Sequence, residues 1–173
     1  MSWKNRLKKI FLFSLSFFFL SLIAVSCYTL KGTSVPLDVN TFSVQQFEIK
    51  ALNAPPTLSQ VFTERLKTKM LNETRLSFNR DSPDVEFLGA ITDYRVSSVA
   101  PQAGATTAFN QLDVVVAVEY INHKNEQKNW KSSFNRFYQF PSDANLFDKQ
   151  DGYIKVINEL LVEDIFKRSF EDW

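Results

Sequence analysis

Reactive and metal-binding side chains are scarce in this chain of 173 residues, which contains one cysteine, one histidine and four glycines. A disulfide needs a second cysteine, and a zinc site needs several thiols or imidazoles. His123 lies between Asn122 and Lys124 in a polar stretch, so we interpret it as a solvated turn residue. The sequence contains no Gly-x-Ser-x-Gly elbow that would present a serine nucleophile. We therefore predict neither an enzyme nor a metalloprotein.

The first 26 residues combine a basic head with a long apolar run. Residues 3–9 carry four bases, residues 10–25 are almost unbroken apolar sequence, and the small residues Ala24 and Ser26 precede Cys27. This order is typical of a secretory signal that is removed. A cysteine directly after the cut indicates a bacterial lipoprotein, in which the thiol takes a diacylglyceryl group and the freed amine takes a further acyl chain. Two or more chains anchor stably, since each buried methylene contributes about 0.8 kcal/mol.

Two other interpretations of this segment remain open. The apolar run is at the short edge of what spans a bilayer, so it is compatible with an uncleaved N-terminal anchor. A plain signal with Cys27 as an ordinary buried thiol is the third, and Ala24 stands where lipoprotein signals usually carry leucine. On the lipoprotein interpretation, residues 1–26 are the signal peptide, residues 27–39 form a lipidated tether and residues 40–173 form one domain.

The mature chain is mildly acidic. Four of the 20 bases lie in the signal head, which leaves 16 bases against 19 acids. This balance argues against a nucleic-acid partner, which requires a basic face. Twelve of the 17 phenylalanines lie beyond residue 27, so apolar packing is expected to hold the domain together without a disulfide.

Hydrophobic periodicity predicts four strands and two helices in the order β-α-β-β-β-α. The strands are predicted at 40–50, with a slip near Gln45 and Gln46, and at 85–99, 112–121 and 130–140, with a bulge at Gly89. A helix over 57–75 would begin at a capping box formed by Thr57 and Gln60. Its expected core stripe is Leu58, Val61, Phe62, Leu66 and Met70.

The last helix, predicted over 148–170, has a core stripe widened by Leu160 and Phe166. The stripe itself is Ile154, Ile157, Leu161 and Ile165. Both helices must bury their apolar stripes, so the fold class is predicted as α+β: a two-layer sandwich with both helices on one face of a four-stranded, mostly antiparallel sheet.

Several segments of the mature chain occur together in an order that matches a known family. They are Cys27 with the following Tyr28-Thr29-Leu30 and Gly32, the stretches 34–39, 56–64, 89–96 and 161–166, and the terminal Trp173. With these segments the chain resembles the LptE family, in its Bacteroidetes-type branch. These are outer-membrane lipoproteins that assemble lipopolysaccharide.

The resemblance implies a location and a partner. Proteins of this family sit in the periplasmic leaflet of the outer membrane, plug the lumen of the β-barrel LptD, and are not enzymes. Their fold is two helices on a four-stranded sheet, and no cofactor is implied beyond the lipid expected at Cys27. Residues 28–31 contain no acid, which favours the periplasmic face over the cell surface.

The alternative function is a periplasmic-facing lipoprotein that carries an acyl lipid without a barrel. It would need an internal cavity or a groove on the helix-free sheet face.

Two sets of residues are candidates for contact with partners. The uncharged hairpin tip around residues 101–109 is predicted to insert into the barrel, with a flexible surface connection as the alternative; its residues are Gly104, Ala105, Thr106, Thr107 and Phe109. A basic set is predicted to meet lipid phosphates or acidic barrel residues, with simple solubility as the alternative. Its residues are Lys124, Lys128, Lys131 and Arg136.

The lipid anchor gives a direct prediction for Cys27. Cells fed labelled palmitate should incorporate the label into the wild-type protein and not into Cys27→Ser, because the serine hydroxyl cannot form the thioether. Label that persists in Cys27→Ser would show that this residue is not the lipid attachment site.

Overall fold

The computed structural model describes residues 35–100 and 108–170, which form two α-helices and a sheet of six strands. The strands are β1 (Thr41–Val44), β2 (Glu48–Ile49), β3 (Ser77–Phe78), β4 (Val85–Val99), β5 (Phe109–Asn122) and β6 (Trp130–Pro141). The helices are α1 (Thr57–Glu73) and α2 (Leu146–Phe170), and a short 3-10 helix (Glu126–Lys128) lies between β5 and β6. Neither helix of this described part is long and apolar enough to cross a bilayer.

The sheet is mixed, in the order β3-β1-β4-β5-β6, with β2 pairing alongside β4 beyond the end of β1. β1 is parallel to β3 and β4, whereas β4, β5 and β6 form an antiparallel meander. The meander is as predicted, but the expectation of a four-stranded, mostly antiparallel sheet is wrong for the described residues, since the sheet has six strands and β1 and β2 each pair in parallel with β4. Of the two additional strands, β2 is the second half of the predicted strand 40–50, and β3 has two residues, which is too short for a periodic signal.

The slip predicted near Gln45 and Gln46 is where the first strand breaks into β1 and β2. At this break Phe47 turns into the core and packs edge-on against Phe62 of α1, with ring centroids 4.9 Å apart. Side chains of α1 hydrogen-bond to the backbone N–H and C=O groups of Phe47, which lies between the two strands. The N–H of Phe47 donates to the Thr63 hydroxyl (3.1 Å), and the Ser59 hydroxyl donates to the Phe47 carbonyl. The break therefore docks the first helix on the sheet.

Both helices lie side by side on one face of the sheet, as predicted. The even-numbered residues of β5 from Leu112 to Tyr120 are buried beneath them, and Phe170 of α2 contacts the rings of Phe87 and Tyr120. Ion pairs Arg65–Glu159 and Lys69–Glu163 join the two helices along their exposed side. The two-layer α+β class is confirmed.

Four details of the helix and bulge predictions are wrong. Pro56 already has helical dihedral angles, so Thr57 lies inside α1 and no side chain of the described residues caps the N-terminus of that helix. Val61 is half exposed and Leu160 is also exposed, so neither belongs to the core. The register between β4 and β5 shifts between Ile91 and Asp93, which places the bulge at Thr92 and not at Gly89.

Gly89 is required for a different reason, which is the close approach of two neighbours. A Cβ at this position would lie 2.1 Å from the carbonyl oxygen of Ala117 on β5 and 2.8 Å from the ring of Phe47. Because the carbonyl is part of the β4–β5 ladder, it cannot move without loss of pairing. Gly89 therefore lets the broken first strand dock against the sheet.

Gly89→Ala should lower the free energy of unfolding by about 1–3 kcal/mol or more, because the new methyl group overpacks against backbone. Gly152→Ala in α2 is the matched control, since no described atom lies within 4 Å of a Cβ there. It should raise stability by about 0.5–1 kcal/mol. Urea unfolding of both purified variants is the measurement, and equal stability of the two would contradict this account of Gly89.

Candidate functional site

The chain joins the domain at one end of the long strands. The described part of the predicted tether, residues 35–39, is docked rather than free, because Val39 is buried and the Arg75 guanidinium donates to the Pro36 carbonyl (2.5 Å). Phe42 of β1 pairs with Val85 at the start of β4. We call this the anchor end, since the chain leads from it towards Cys27, which lies outside the described residues.

The opposite end of the sheet, which we call the distal end, is where β4, β5 and β6 project beyond the other strands. β4 runs 15 residues away from the anchor end, which at about 3.3 Å per residue is roughly 45 Å. Phe109 is 40% exposed here and pairs with Val99 and Pro141. The other predicted tip residues, Gly104, Ala105, Thr106 and Thr107, lie outside the described residues.

Three exposed apolar residues near the distal end were missed by the sequence analysis. Val96 of β4 is 43% exposed, Phe137 of β6 is 50% exposed, and Phe147 in the first turn of α2 is 81% exposed. The exposure of Phe137 could have been predicted from strand alternation, because its odd-numbered position on β6 faces away from Trp130, Phe134 and Tyr138. With Phe109, these side chains give the distal end an apolar character on both faces of the sheet.

Lys124 forms an ion pair with Asp84 at the anchor end. Its ammonium lies 3.1 Å from a carboxylate oxygen of Asp84. The same carboxylate accepts the backbone N–H groups of Asn40 (2.8 Å) and Thr41 (3.0 Å). The hydrogen bond from Asn40, together with Lys124 and Thr41, outweighs desolvation and lowers the pKa of Asp84 to about 2. Lys124 therefore helps to fix the β5–β6 turn against the start of β1.

The other basic candidates do not form one patch with Lys124. Lys131 lies 2.9 Å from Glu119 on the outer, helix-free face of the sheet. Arg136 lies on the helix face and makes two 2.6 Å hydrogen bonds to Asp164 of α2; these bonds raise the pKa of Arg136. Lys128 makes no ion pair with any described residue. Contact of the four with phosphates stays a prediction.

The outer face of the sheet contains a depression of about 610 Å³. Its floor is small and apolar, with Ala90 and Ala117, and its rim carries two ion pairs, Glu48–Lys50 and Glu119–Lys131. This is the face on which the acyl-carrier alternative requires a groove. The depression is open to solvent and rimmed by charges of both signs.

The described part of the chain brings together no group of three metal-ligating side chains. His123 is exposed in the turn after β5, and its ring nitrogen lies 3.8 Å from Glu86. This placement agrees with its interpretation as a turn residue.

Comparison with family models decides the relationship of the chain. The LptE model, described as lipopolysaccharide-assembly, matches residues 39–169. The chain belongs to the LptE family. The match covers the domain from Val39 almost to the end of α2, and it confirms the resemblance to the family inferred from the sequence. The Bacteroidetes-type branch stays a prediction. Membership assigns this LptE-family protein a role in lipopolysaccharide assembly.

Solved structures share the fold at low sequence identity. A minor lipoprotein from Acinetobacter baumannii aligns with a TM-score of 0.50 at 8% identity, over 75% of this chain and 91% of that one. A neuraminyllactose-binding hemagglutinin homologue from Helicobacter pylori aligns with a TM-score of 0.55 at 11% identity, over 83% and 90% of the two chains. At these identities the similarity shows the fold alone. No curated protein matches the sequence.

The Asp84 cluster predicts a specific acid sensitivity. Asp84→Ala should lower the free energy of unfolding near neutral pH by about 1–3 kcal/mol, because two backbone N–H groups lose their acceptor. The folded pKa of about 2 is below the ordinary value of 3.8, so this contribution is complete above about pH 4 and is lost as the pH falls towards 2.

Urea unfolding near pH 7 and near pH 2 should therefore show a difference between wild type and Asp84→Ala that shrinks in acid. Lys124→Ala is the control, since it removes the half-exposed cation and leaves both backbone bonds to Asp84 in place. A difference between wild type and Asp84→Ala that is the same at both pH values would contradict the assignment.

Proposed function

We propose that this LptE-family protein is an outer-membrane lipoprotein that plugs and supports an LptD-like β-barrel during lipopolysaccharide transport. The observation that carries the proposal is the family match over residues 39–169. In the proposal, Cys27 carries the lipid anchor, the domain faces the periplasm, and the protein acts by binding and not by catalysis.

The surface of the domain supports a plug in an aqueous lumen. Such a plug must fold by itself and present a hydrated exterior. Among the described residues, the large fully buried side chains lie between one sheet face and the helices, and the opposite face carries the Glu119–Lys131 ion pair and the hydrogen-bonded amides of Gln111 and Gln139. A closed barrel has an inner wall without free strand edges, so side chains and loops are expected to make most of the contact.

The two ends of the domain have separate tasks in this proposal. The anchor end stays near the lipid, and the distal end extends roughly 45 Å away from it along the strands. Exposed apolar residues near the distal end, together with the uncharged tip, would contact the barrel. They are Val96, Gly104, Ala105, Thr106, Thr107, Phe109, Phe137 and Phe147.

The test is co-expression of the full chain with the LptD-like barrel of the same genome, followed by purification through a tag on the chain. Ala105→Glu combined with Thr106→Glu should reduce recovered barrel by about tenfold, because each carboxylate would be taken out of water without a partner. Ser82→Glu combined with Gln127→Glu adds the same charges at exposed turns of the anchor end and should leave recovery unchanged.

Two outcomes contradict the proposal at different levels. Equal barrel recovery with the tip variant would exclude insertion of the tip and leave the partnership intact. Failure of the wild-type chain to recover the barrel would overturn the partnership itself.

The outer-face depression is where a second candidate function, an acyl-lipid carrier that works without a barrel, would place its ligand. An acyl chain prefers an enclosed apolar cavity, whereas the rim here carries Glu48, Lys50, Glu119 and Lys131. The barrel-bound role is therefore preferred, and a wild-type chain that purifies with lipid and without a barrel would reverse this preference.

A further inference from the structure

Strand β6 forms one edge of the sheet and is long and regular. Its 12 residues pair with β5 in an uninterrupted register, from Phe109 opposite Pro141 to Tyr120 opposite Trp130. No other strand of the described residues pairs with β6. One side of its backbone therefore carries a row of N–H and C=O groups that have no ladder partner within residues 35–100 and 108–170.

The hydrogen bonds of the ladder identify which amides point outward. The N–H of Ser142 donates to the carbonyl of Ala108 (3.0 Å), so these two residues form a hydrogen-bonded pair. Antiparallel pairs alternate, so even-numbered residues of β6 bond to β5 and odd-numbered residues direct their N–H and C=O groups outward. The outward N–H groups belong to Lys131, Ser133, Asn135, Phe137 and Gln139. Pro141, which has no N–H, falls at an outward position, where the ladder needs none.

This edge lacks the features that usually prevent strand addition. Proteins protect edges with unpaired charges, central prolines or bulges. Arg136 is the single charged residue between positions 132 and 140, and Asp164 neutralises it through two hydrogen bonds. Lys131, at the anchor end of the strand, is paired with Glu119. The exposed ring of Phe137 adds an apolar contact beside the outward amides.

We propose that β6 accepts an extended segment of the barrel partner as an additional strand of the sheet. This inference rests on the proposed function and names the surface through which the barrel is bound. The segment would hydrogen-bond to the outward groups of Ser133, Asn135, Phe137 and Gln139, and it would be uncharged where it passes Arg136. A loop of the barrel that reaches into the lumen has the required form, since the wall strands are already paired.

The position of α2 disfavours an antiparallel pairing of β6 with β6 of a second copy of this chain. Tyr153 of α2 stacks on Tyr138 (4.5 Å) and Phe140 (5.1 Å), and Asp164 holds Arg136, so α2 lies above the edge strand itself. Two copies joined by antiparallel β6 strands would have their α2 helices on the same face. Neighbouring strands are about 4.8 Å apart, whereas packed helices need about 8–10 Å. A strand with no helix above it fits beside β6 without this clash.

Residue-resolved amide hydrogen exchange of the full chain, alone and in complex with the LptD-like barrel, tests this proposal. In the free protein, the outward amides of Ser133, Asn135, Phe137 and Gln139 should exchange faster than their even-numbered neighbours. In the complex, the outward amides should slow by about tenfold or more. Asn135→Pro removes one outward N–H and should reduce barrel recovery, whereas Asn135→Thr keeps that N–H and should recover the barrel like wild type.

Each outcome has one meaning. Slowed outward amides, with barrel lost in Asn135→Pro and kept in Asn135→Thr, support strand addition. A complex in which the outward amides exchange as in the free chain overturns strand addition and leaves the proposed function standing. Failure of the wild-type chain to form the complex overturns both. If Asn135→Pro does not fold, the exchange rates of the wild-type complex decide the question.

Discussion

The alternation of side chains along β5 determines most of what this domain presents to its surroundings. Its even-numbered residues from Leu112 to Tyr120 are buried beneath two helices, and its odd-numbered residues lie on the helix-free face. Strand β6 pairs with β5 in the same register, so its side chains alternate in the same way. Arg136 therefore contacts α2, and Phe137 faces solvent. The register also determines which backbone amides of β6 point outward. The buried layer, the open face and the direction of the β6 backbone amides therefore follow from one register.

The two ends of the domain differ in the kind of residues they carry. Near the anchor end, Asp84 joins the start of β1 to the β5–β6 turn through Lys124 and two backbone N–H groups, and Arg75 holds the incoming chain at Pro36. The distal end lacks such a cluster among the described residues and exposes apolar side chains instead. The lipid anchor proposed for one end and the barrel contacts proposed for the other would suit a protein that reaches from a membrane leaflet into a partner.

The sequence was sufficient for the elements with strong periodicity and insufficient where distant residues decide the outcome. The strict alternation of β5 and the stripe of α2 predicted the two layers. Val61 was misplaced because α1 turns Ser59 and Thr63 inward to satisfy the backbone of Phe47, which no helical periodicity reveals. The basic candidates were identifiable as cations, but the carboxylates that neutralise Lys124 and Arg136 are far away in the sequence. The free edge of β6 follows from the sheet order, which periodicity alone does not give.

The most direct test of the central claim is a density map of the complex purified from membranes with the LptD-like barrel. We expect one copy of this LptE-family domain inside the barrel lumen, with its anchor end towards the periplasmic leaflet and a barrel segment beside β6. A domain bound outside the barrel, or a barrel from intact membranes that contains no such domain, would contradict this expectation.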